Sequence, residues 1–343
     1  MKQIPAIETK NLAIGYNANR RTENCLNRQL NLCLYHGEVT ALLGSNGAGK
    51  STLLRTLAGF QPELKGSVIV EGRDRSLIGQ KELSRLIGVV LTEKSAAGTL
   101  KVRDLVSMGR HPYTGFFGVL KNHDHKMVNR AMRQTGIEHK ADSYIAEISD
   151  GERQKAMIAK ALAQECPIIL LDEPTAFLDI TSRIELMILL RELAVTEKKS
   201  ILLSTHDIEL ALTLSDQLWL LKKQGGIVCG TPEDLVLDNS ISSYFGTENI
   251  GFDALTGRLA YKTNGDKNVF LESEGAKAYW LANAVKKLGC SVSDVPDNDI
   301  PTIKWLSSDA AITLRLSNGK EEKAASIGEL VKIIKNYLPE ILE

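Results

Sequence analysis

Gly44-Ser45-Asn46-Gly47-Ala48-Gly49-Lys50-Ser51-Thr52 has the make-up of a phosphate cradle. The pattern is glycine, four residues, then Gly-Lys-Ser, set between the strand-like run Thr40–Leu43 and the helix-like run Ser51–Gly59. Glycines let a backbone curl round an anion without Cβ clashes, so that N–H groups of the loop and of the first helical turn face it. Lys50 is then within reach of β- and γ-phosphates, and the Ser51 hydroxyl of a Mg²⁺ ion. A second group of side chains complements the first. The apolar run Ile168–Leu171 ends in Asp172-Glu173. A buried strand delivers its last residues to the edge of the sheet where ligands bind in open α/β folds. Asp172 is expected to hold Mg²⁺ through its water shell, and Glu173, diverging from it, to orient or deprotonate an attacking water.

The elements that must position these groups alternate. Val39–Leu43, Ile87–Leu91, Pro167–Leu171 and Ser200–Ser204 read as buried parallel strands, and Lys50–Leu57 and Glu152–Gln164 as helices between them. This is an α/β layered domain over residues 1–246. Residues 94–164 break the rhythm with helical and glycine-punctuated segments, and read as an inserted helical subdomain. Residues 247–343 read as a small α+β domain. Asn268–Leu271 is strand-like, and Ala278, Leu281, Ala282, Val285 and Leu288 form a helical stripe that is expected to take Trp280 into the core. Ala311–Leu316 alternates before the turn Asn318-Gly319, and Ser326 with Glu329 opens a last helix, Ile327–Tyr337, as a capping box.

Composition sets limits. The 343 residues carry 42 Lys+Arg and 42 Asp+Glu, which argues against a strongly basic nucleic-acid binder. The five cysteines are scattered and form no CxxC pair, as expected in a reducing compartment. All six histidines lie before residue 207, so a histidine-based site in the last hundred residues is excluded. No apolar run is long enough to span a bilayer, and the polar N-terminus does not read as a signal peptide.

Taken together in order, the motifs resemble the nucleotide-binding subunits of ABC transporters over roughly residues 5–245. Ile148-Ser149-Asp150-Gly151-Glu152-Arg153-Gln154 is similar to the family's signature, Asp172-Glu173-Pro174-Thr175 to its Walker B end, Ala176-Phe177-Leu178-Asp179 to its D-loop, and Ser204-Thr205-His206-Asp207 to its switch. The resemblance implies a P-loop NTPase cassette, with a RecA-like core and the inserted helical subdomain, followed by an accessory α+β domain. It implies ATP and Mg²⁺ as ligands, Tyr16 stacked on adenine, and His206 as γ-phosphate sensor. It also implies a second copy of the chain paired head to tail, so that Ser149, Asp150, Gly151 and Glu152 face ATP held by the other copy. Ser149 also reads as an N-cap on the helix that follows, and a helix start favours an anion. The partners implied are a separate integral membrane permease and a substrate-binding protein, with the cassette cytoplasmic and peripheral on the inner face of a prokaryotic plasma membrane.

Gly109-Arg110-His111-Pro112-Tyr113-Thr114-Gly115 resembles a stretch of the cassettes that serve iron(III)-siderophore, haem and vitamin B12 importers, although proline and glycines also suit any tight turn. An export cassette, or a soluble ABC ATPase of translation or DNA repair, remains the alternative. His123 and His125 read as solvated rather than metal-binding. Two positions depart from the family. Asp150 stands where the signature's first glycine is usual, and is expected to turn away from phosphate and bond a backbone N–H at the helix start. Thr92 stands at the Q-loop glutamine and is expected to ligate Mg²⁺ with a shorter reach. Thr92→Ala should therefore raise the Mg²⁺ concentration needed for half-maximal ATP hydrolysis, and Thr92→Gln should lower it; a metal dependence equal to wild type in Thr92→Ala would exclude Thr92 as a ligand.

Overall fold

Val39–Gly44, Ile168–Leu171 and Ser200–Thr205 are buried at every position. Strands apolar on both faces need cover on both, which is the condition of a parallel sheet held between layers. They form the centre of such a sheet in the computed structural model, which describes residues 4–17, 23–91, 99–223, 225–261, 268–293, 295–297, 299–307 and 309–341. The chain divides into two units, residues 1–244 with 252–258, and residues 245–251 with 259–343.

The first unit runs β1 (Ile7–Asn17), β2 (Glu23–Leu30), β3 (Cys33–Leu34), β4 (Val39–Gly44), α1 (Lys50–Leu57), β5 (Lys65–Val70), β6 (Arg73–Asp74), α2 (Gln80–Leu86), β7 (Ile87–Val90), α3 (Val102–Ser107), α4 (Asn122–Gln134), α5 (Asp150–Ala163), β8 (Ile168–Leu171), α6 (Ile180–Glu197), β9 (Ser200–Thr205), α7 (Ile208–Leu214), β10 (Gln217–Leu221), β11 (Ile227–Gly230), α8 (Pro232–Leu237) and α9 (Ser240–Phe245). The main sheet has the order β11-β10-β4-β9-β8-β7; β10, β4, β9, β8 and β7 are parallel, and β11 is antiparallel on the edge. Leu43 pairs with Thr205 and Leu171 with Leu203, so the chain leaves β4, β8 and β9 side by side at one edge. One face of the sheet (Leu42, Leu170, Leu202) packs with α1 and an antiparallel sheet of β1, β2, β3, β5 and β6. The other face (Ile169, Leu171, Leu203) packs with α6 and the helical insert, which shares this core.

The insert is fastened by Gly109-Arg110-His111-Pro112-Tyr113. A Cβ on Gly109 would lie 2.2 Å from the Lys160 carbonyl oxygen, so only glycine lets this turn close on α5. Arg110 is 1% exposed. It donates to Asp124 at 2.9 Å, Glu165 at 2.6 Å and the Ala163 carbonyl at 2.7 Å, while its guanidinium lies 4.1 Å from the Tyr113 ring centre. Tyr113 donates to the Gln164 carbonyl at 3.0 Å and carries Arg85 of α2 over its ring at 4.9 Å. Gln164 in turn donates to the carbonyls of Ser84 and Ile87. The C-terminal end of α5 is thus tied to the start of β7. Asp124 also accepts from the Lys121 N–H at the head of α4; that bond first, and Arg110 with it, hold its carboxyl below the usual range against the opposing effect of burial.

The second unit contains β14 (Asn268–Ser273), α10 (Gly275–Lys286), β15 (Ser291–Ser293), β16 (Thr302–Trp305), β17 (Ile312–Arg315), β18 (Glu321–Ala324) and α11 (Ile327–Ile341), preceded in the chain by the hairpin strands β12 (Ile250–Asp253) and β13 (Arg258–Tyr261). Its sheet has the order β15-β14-β16-β17-β18, parallel from β15 to β16 and antiparallel beyond. It has its own core, including Val269, Leu281, Val285, Ile303, Leu314 and Leu330. Gly319 turns the β17–β18 hairpin at φ 82°; at the start of α11 Ser326 accepts from the Glu329 N–H at 3.2 Å, while the Glu329 carboxylate accepts from the Ala325 N–H at 2.8 Å, one residue before the Ser326 N–H that the expected capping box requires. Trp280 is not in that core: it is 57% exposed and stands edge-on to Tyr279 at 5.4 Å. Leu281 and Val285 take the inward face, and a neighbour one residue away on a helix is rotated by about 100° from it.

Because Arg110 neutralises a buried acid, Arg110→Ala should cost about 3–5 kcal/mol in urea unfolding by leaving Asp124 without its cation.

Candidate functional site

The phosphate loop leaves β4 at Gly44 and enters α1 at Lys50. Gly49 is the N-cap with φ 104°, a conformation that costs a side chain but not glycine. A Cβ on Gly44 would stand 3.0 Å from the Leu221 carbonyl oxygen of the neighbouring strand. The loop is also held from outside. Asn27, buried on β2, donates to the carbonyls of Ala48 at 3.0 Å and Lys222 at 3.1 Å, and accepts from the Gly226 N–H at 3.1 Å. Asn27 has no motif to mark it, and only its place beside the loop reveals it.

The loop borders a cavity of about 360 Å³ lined by Tyr16, Leu26, Ser45, Asn46, Gly47, Gly49, Lys50, Ser51, Thr52 and Glu173. Ala48 is buried beneath it. Tyr16 is half exposed at the rim, its hydroxyl 2.7 Å from that of Thr52. Lys50 is buried, and its ammonium donates to the Gly44 carbonyl at 2.8 Å. It lies 3.1 Å from His206 Nε2 and 3.8 Å from Glu173 Oε1. Desolvation lowers the Lys50 pKa, and the carboxylates of Glu173 and Asp172 oppose that fall. His206 Nε2 is also 2.7 Å from Glu173 Oε1. A single ring nitrogen either donates to Glu173 or accepts from Lys50, so the tautomer decides which contact is a hydrogen bond. Ser204 joins the two acids: it donates to Asp172 Oδ1 at 2.7 Å and accepts from the Glu173 N–H at 2.8 Å. Glu173 has φ 47°, in the left-handed region that residues other than glycine seldom adopt.

The signature residues line a different cavity. Ser149 and Glu152 cap α5 reciprocally, Ser149 accepting from the Glu152 N–H at 3.2 Å and Glu152 from the Ser149 N–H at 3.0 Å. That backbone bond, the largest influence, lowers the Glu152 pKa, with Lys140 acting the same way. Asp150 does not bond a backbone N–H as expected; Arg153 holds it at 2.9 Å, because Ser149 and Glu152 already fill the cap. Ser149, Gly151, Glu152, Gln154, Lys155, Leu178, Ser182 and Leu186 enclose about 90 Å³, and none of them borders the cavity of the phosphate loop. Asp179 caps α6, accepting from the Ser182 N–H at 3.0 Å and its hydroxyl at 2.7 Å; the first of these chiefly lowers its pKa. Thr92 lies outside the described residues. Among the described residues no three His, Cys, Asp or Glu side chains form a metal cluster, and His123 is largely exposed.

A family model described as ABC transporter matches residues 27–176, and one described as iron ABC transporter C-terminal domain matches residues 266–335. An uncharacterised ABC transporter ATP-binding protein of Methanocaldococcus jannaschii is 39% identical over 76% of this chain and 89% of its own length. A siderophore transport system ATP-binding protein of Bacillus subtilis is 38% identical over 71% of this chain and 86% of its own. In structure, a chain of a metal-chelate type ABC transporter in an inward-facing conformation superposes with a TM-score of 0.62 at 28% identity, covering 75% of this chain and 96% of the other. The chain belongs to the ATP-binding proteins of ABC transporters. It is an ATPase of the mixed α/β cassette fold with a C-terminal domain added.

Proposed function

We propose that the chain is the ATP-hydrolysing motor subunit of an ABC importer, with cargo of the iron-siderophore, haem or cobalamin type. The observation that carries the motor reading is the cluster of Lys50, His206 and Glu173 at the mouth of the phosphate-loop cavity. A buried lysine beside a carboxylate and an imidazole is a place where an anion is neutralised next to a base.

In this reading Gly44 to Thr52 wrap the phosphates, Lys50 turns from the Gly44 carbonyl to the β- and γ-phosphates, and Tyr16 offers its ring to adenine. Glu173 orients and deprotonates the attacking water, and His206 holds that water against the γ-phosphate. The donors near the loop fit Mg²⁺: the Ser51 hydroxyl and the Asp172 carboxylate are hard oxygens, and Asp172 is kept oriented by Ser204 on one oxygen only. Mg²⁺ held by Ser51, Asp172 and the Thr92 position would supply charge neutralisation at the phosphates. The cavity at Ser149 and Gly151 shares no lining with the phosphate-loop cavity. The start of α5 is therefore free to meet ATP held by a second copy, with Asp179 at the same junction, and two copies paired head to tail complete two sites.

The relatives named for siderophore transport and the match of residues 266–335 to an iron ABC transporter C-terminal domain support the importer and its cargo class. No helix among the described residues is long and apolar enough to cross a membrane, which fits a motor that works on a separate permease, itself fed by a substrate-binding protein, at the inner face of a prokaryotic plasma membrane. Residues 247–343 are read as an accessory domain that tunes this motor.

Two measurements test the reading. Glu173→Gln should lower ATP hydrolysis by about 10²-fold or more while ATP still binds and drives pairing of the cassettes in size-exclusion chromatography. Hydrolysis within a few-fold of wild type would remove Glu173 from the base role. Purified from membranes in mild detergent, the chain should bring down a polytopic membrane protein; recovery with ribosomes or DNA and never with membranes would overturn the transporter assignment.

A further inference from the structure

Tyr244 ends the first segment of the first unit; the chain enters the second at Phe245. Its side chain turns back toward the phosphate loop. The hydroxyl donates to the Leu221 carbonyl at 2.6 Å. That contact matters to the loop: Leu221 is the residue of β10 that pairs with Gly44, and its carbonyl oxygen would stand 3.0 Å from a Cβ there. Ile241, one turn earlier on α9, is fully buried and fixes the helix that carries Tyr244. Burial pushes the Tyr244 phenol up, so it stays protonated and remains a donor at neutral pH.

We propose that Tyr244 is a positioning residue for the phosphate loop, and that through its hydroxyl the nucleotide in the loop and the C-terminal unit bias each other. The geometry supplies the physical link. A shift of Gly44 when phosphate binds is passed through its pairing partner Leu221 to the Tyr244 bond, and Tyr244 is covalently the residue before the chain enters that unit. Coupling of this kind is reciprocal: whatever the unit does to Tyr244 changes the affinity of the loop for nucleotide by the same factor. The coupling rests on the reading of residues 247–343 as an accessory regulatory domain; the positioning role does not.

Tyr244→Phe in the full-length chain removes only the hydroxyl. KM for ATP should rise about five-fold, in line with one lost hydrogen bond, with kcat changed by less than about two-fold. The unfolding midpoint should stay within a few °C, since the ring still packs. A KM equal to wild type overturns the positioning role. Hydrogen exchange over residues 268–337, with and without saturating ADP, tests the coupling. ADP should change exchange there in wild type and not in Tyr244→Phe. A wild-type unit indifferent to ADP overturns the regulatory reading together with the coupling. A response that persists undiminished in Tyr244→Phe overturns the coupling through Tyr244 and leaves the regulatory reading standing.

Discussion

A loop that offers its own N–H groups to a phosphate cannot use those groups to hold its own shape. Helices and strands satisfy their backbone internally, but the turn from Gly44 to Gly49 uses one donor on itself, the Ala48 N–H on the Ser45 carbonyl at 3.1 Å, and leaves the rest of its shape to its surroundings. The pairing of Gly44 with Leu221 fixes one end and the first turn of α1 the other. The Asn27 amide holds Ala48 by its carbonyl, so the clamp takes an acceptor and spares the donors. Its remaining bonds tie the same point to the β10–β11 turn. The cradle is thus a product of three surrounding strands and not of its own sequence alone.

The same edge explains the charge arrangement. Parallel strands β4, β8 and β9 end together, so Lys50, Asp172, Glu173 and His206 reach one place although they are far apart in the chain. Lys50 is supported by the Gly44 carbonyl and by Glu173 and His206. These contacts compensate a buried cation. Ser204, joining Asp172 to the backbone of Glu173, keeps the two acids apart in direction.

The helical insert carries the capped start of α5, and Arg110 fastens it. Its fork satisfies two acids and a helix-end carbonyl at once, and Tyr113 lies between it and Arg85. Both ends of α5 are accordingly specified, the start by Ser149 and Glu152, the finish by Arg110 and Gln164.

The amino-acid sequence by itself determined the phosphate loop, the acids after β8, the signature cap and the central strands. Each is a local pattern whose chemistry is written in adjacent residues: glycine spacing, an uninterrupted apolar run, a Ser-x-x-Glu box. The antiparallel sheet of β1, β2, β3, β5 and β6 was not legible, because its strands are interrupted by register shifts and by positive φ at Asn11 and Gln29 that break alternation. Trp280 was misread as core because a stripe of small and apolar residues leaves open which side of it faces inward. The meaning of Gly109-Arg110-His111-Pro112-Tyr113, the clamp of Asn27 and the reach of Tyr244 to Leu221 were decided only in three dimensions. They join residues tens to hundreds of positions apart, and no periodicity or spacing along a chain encodes which carbonyl a distant side chain will find.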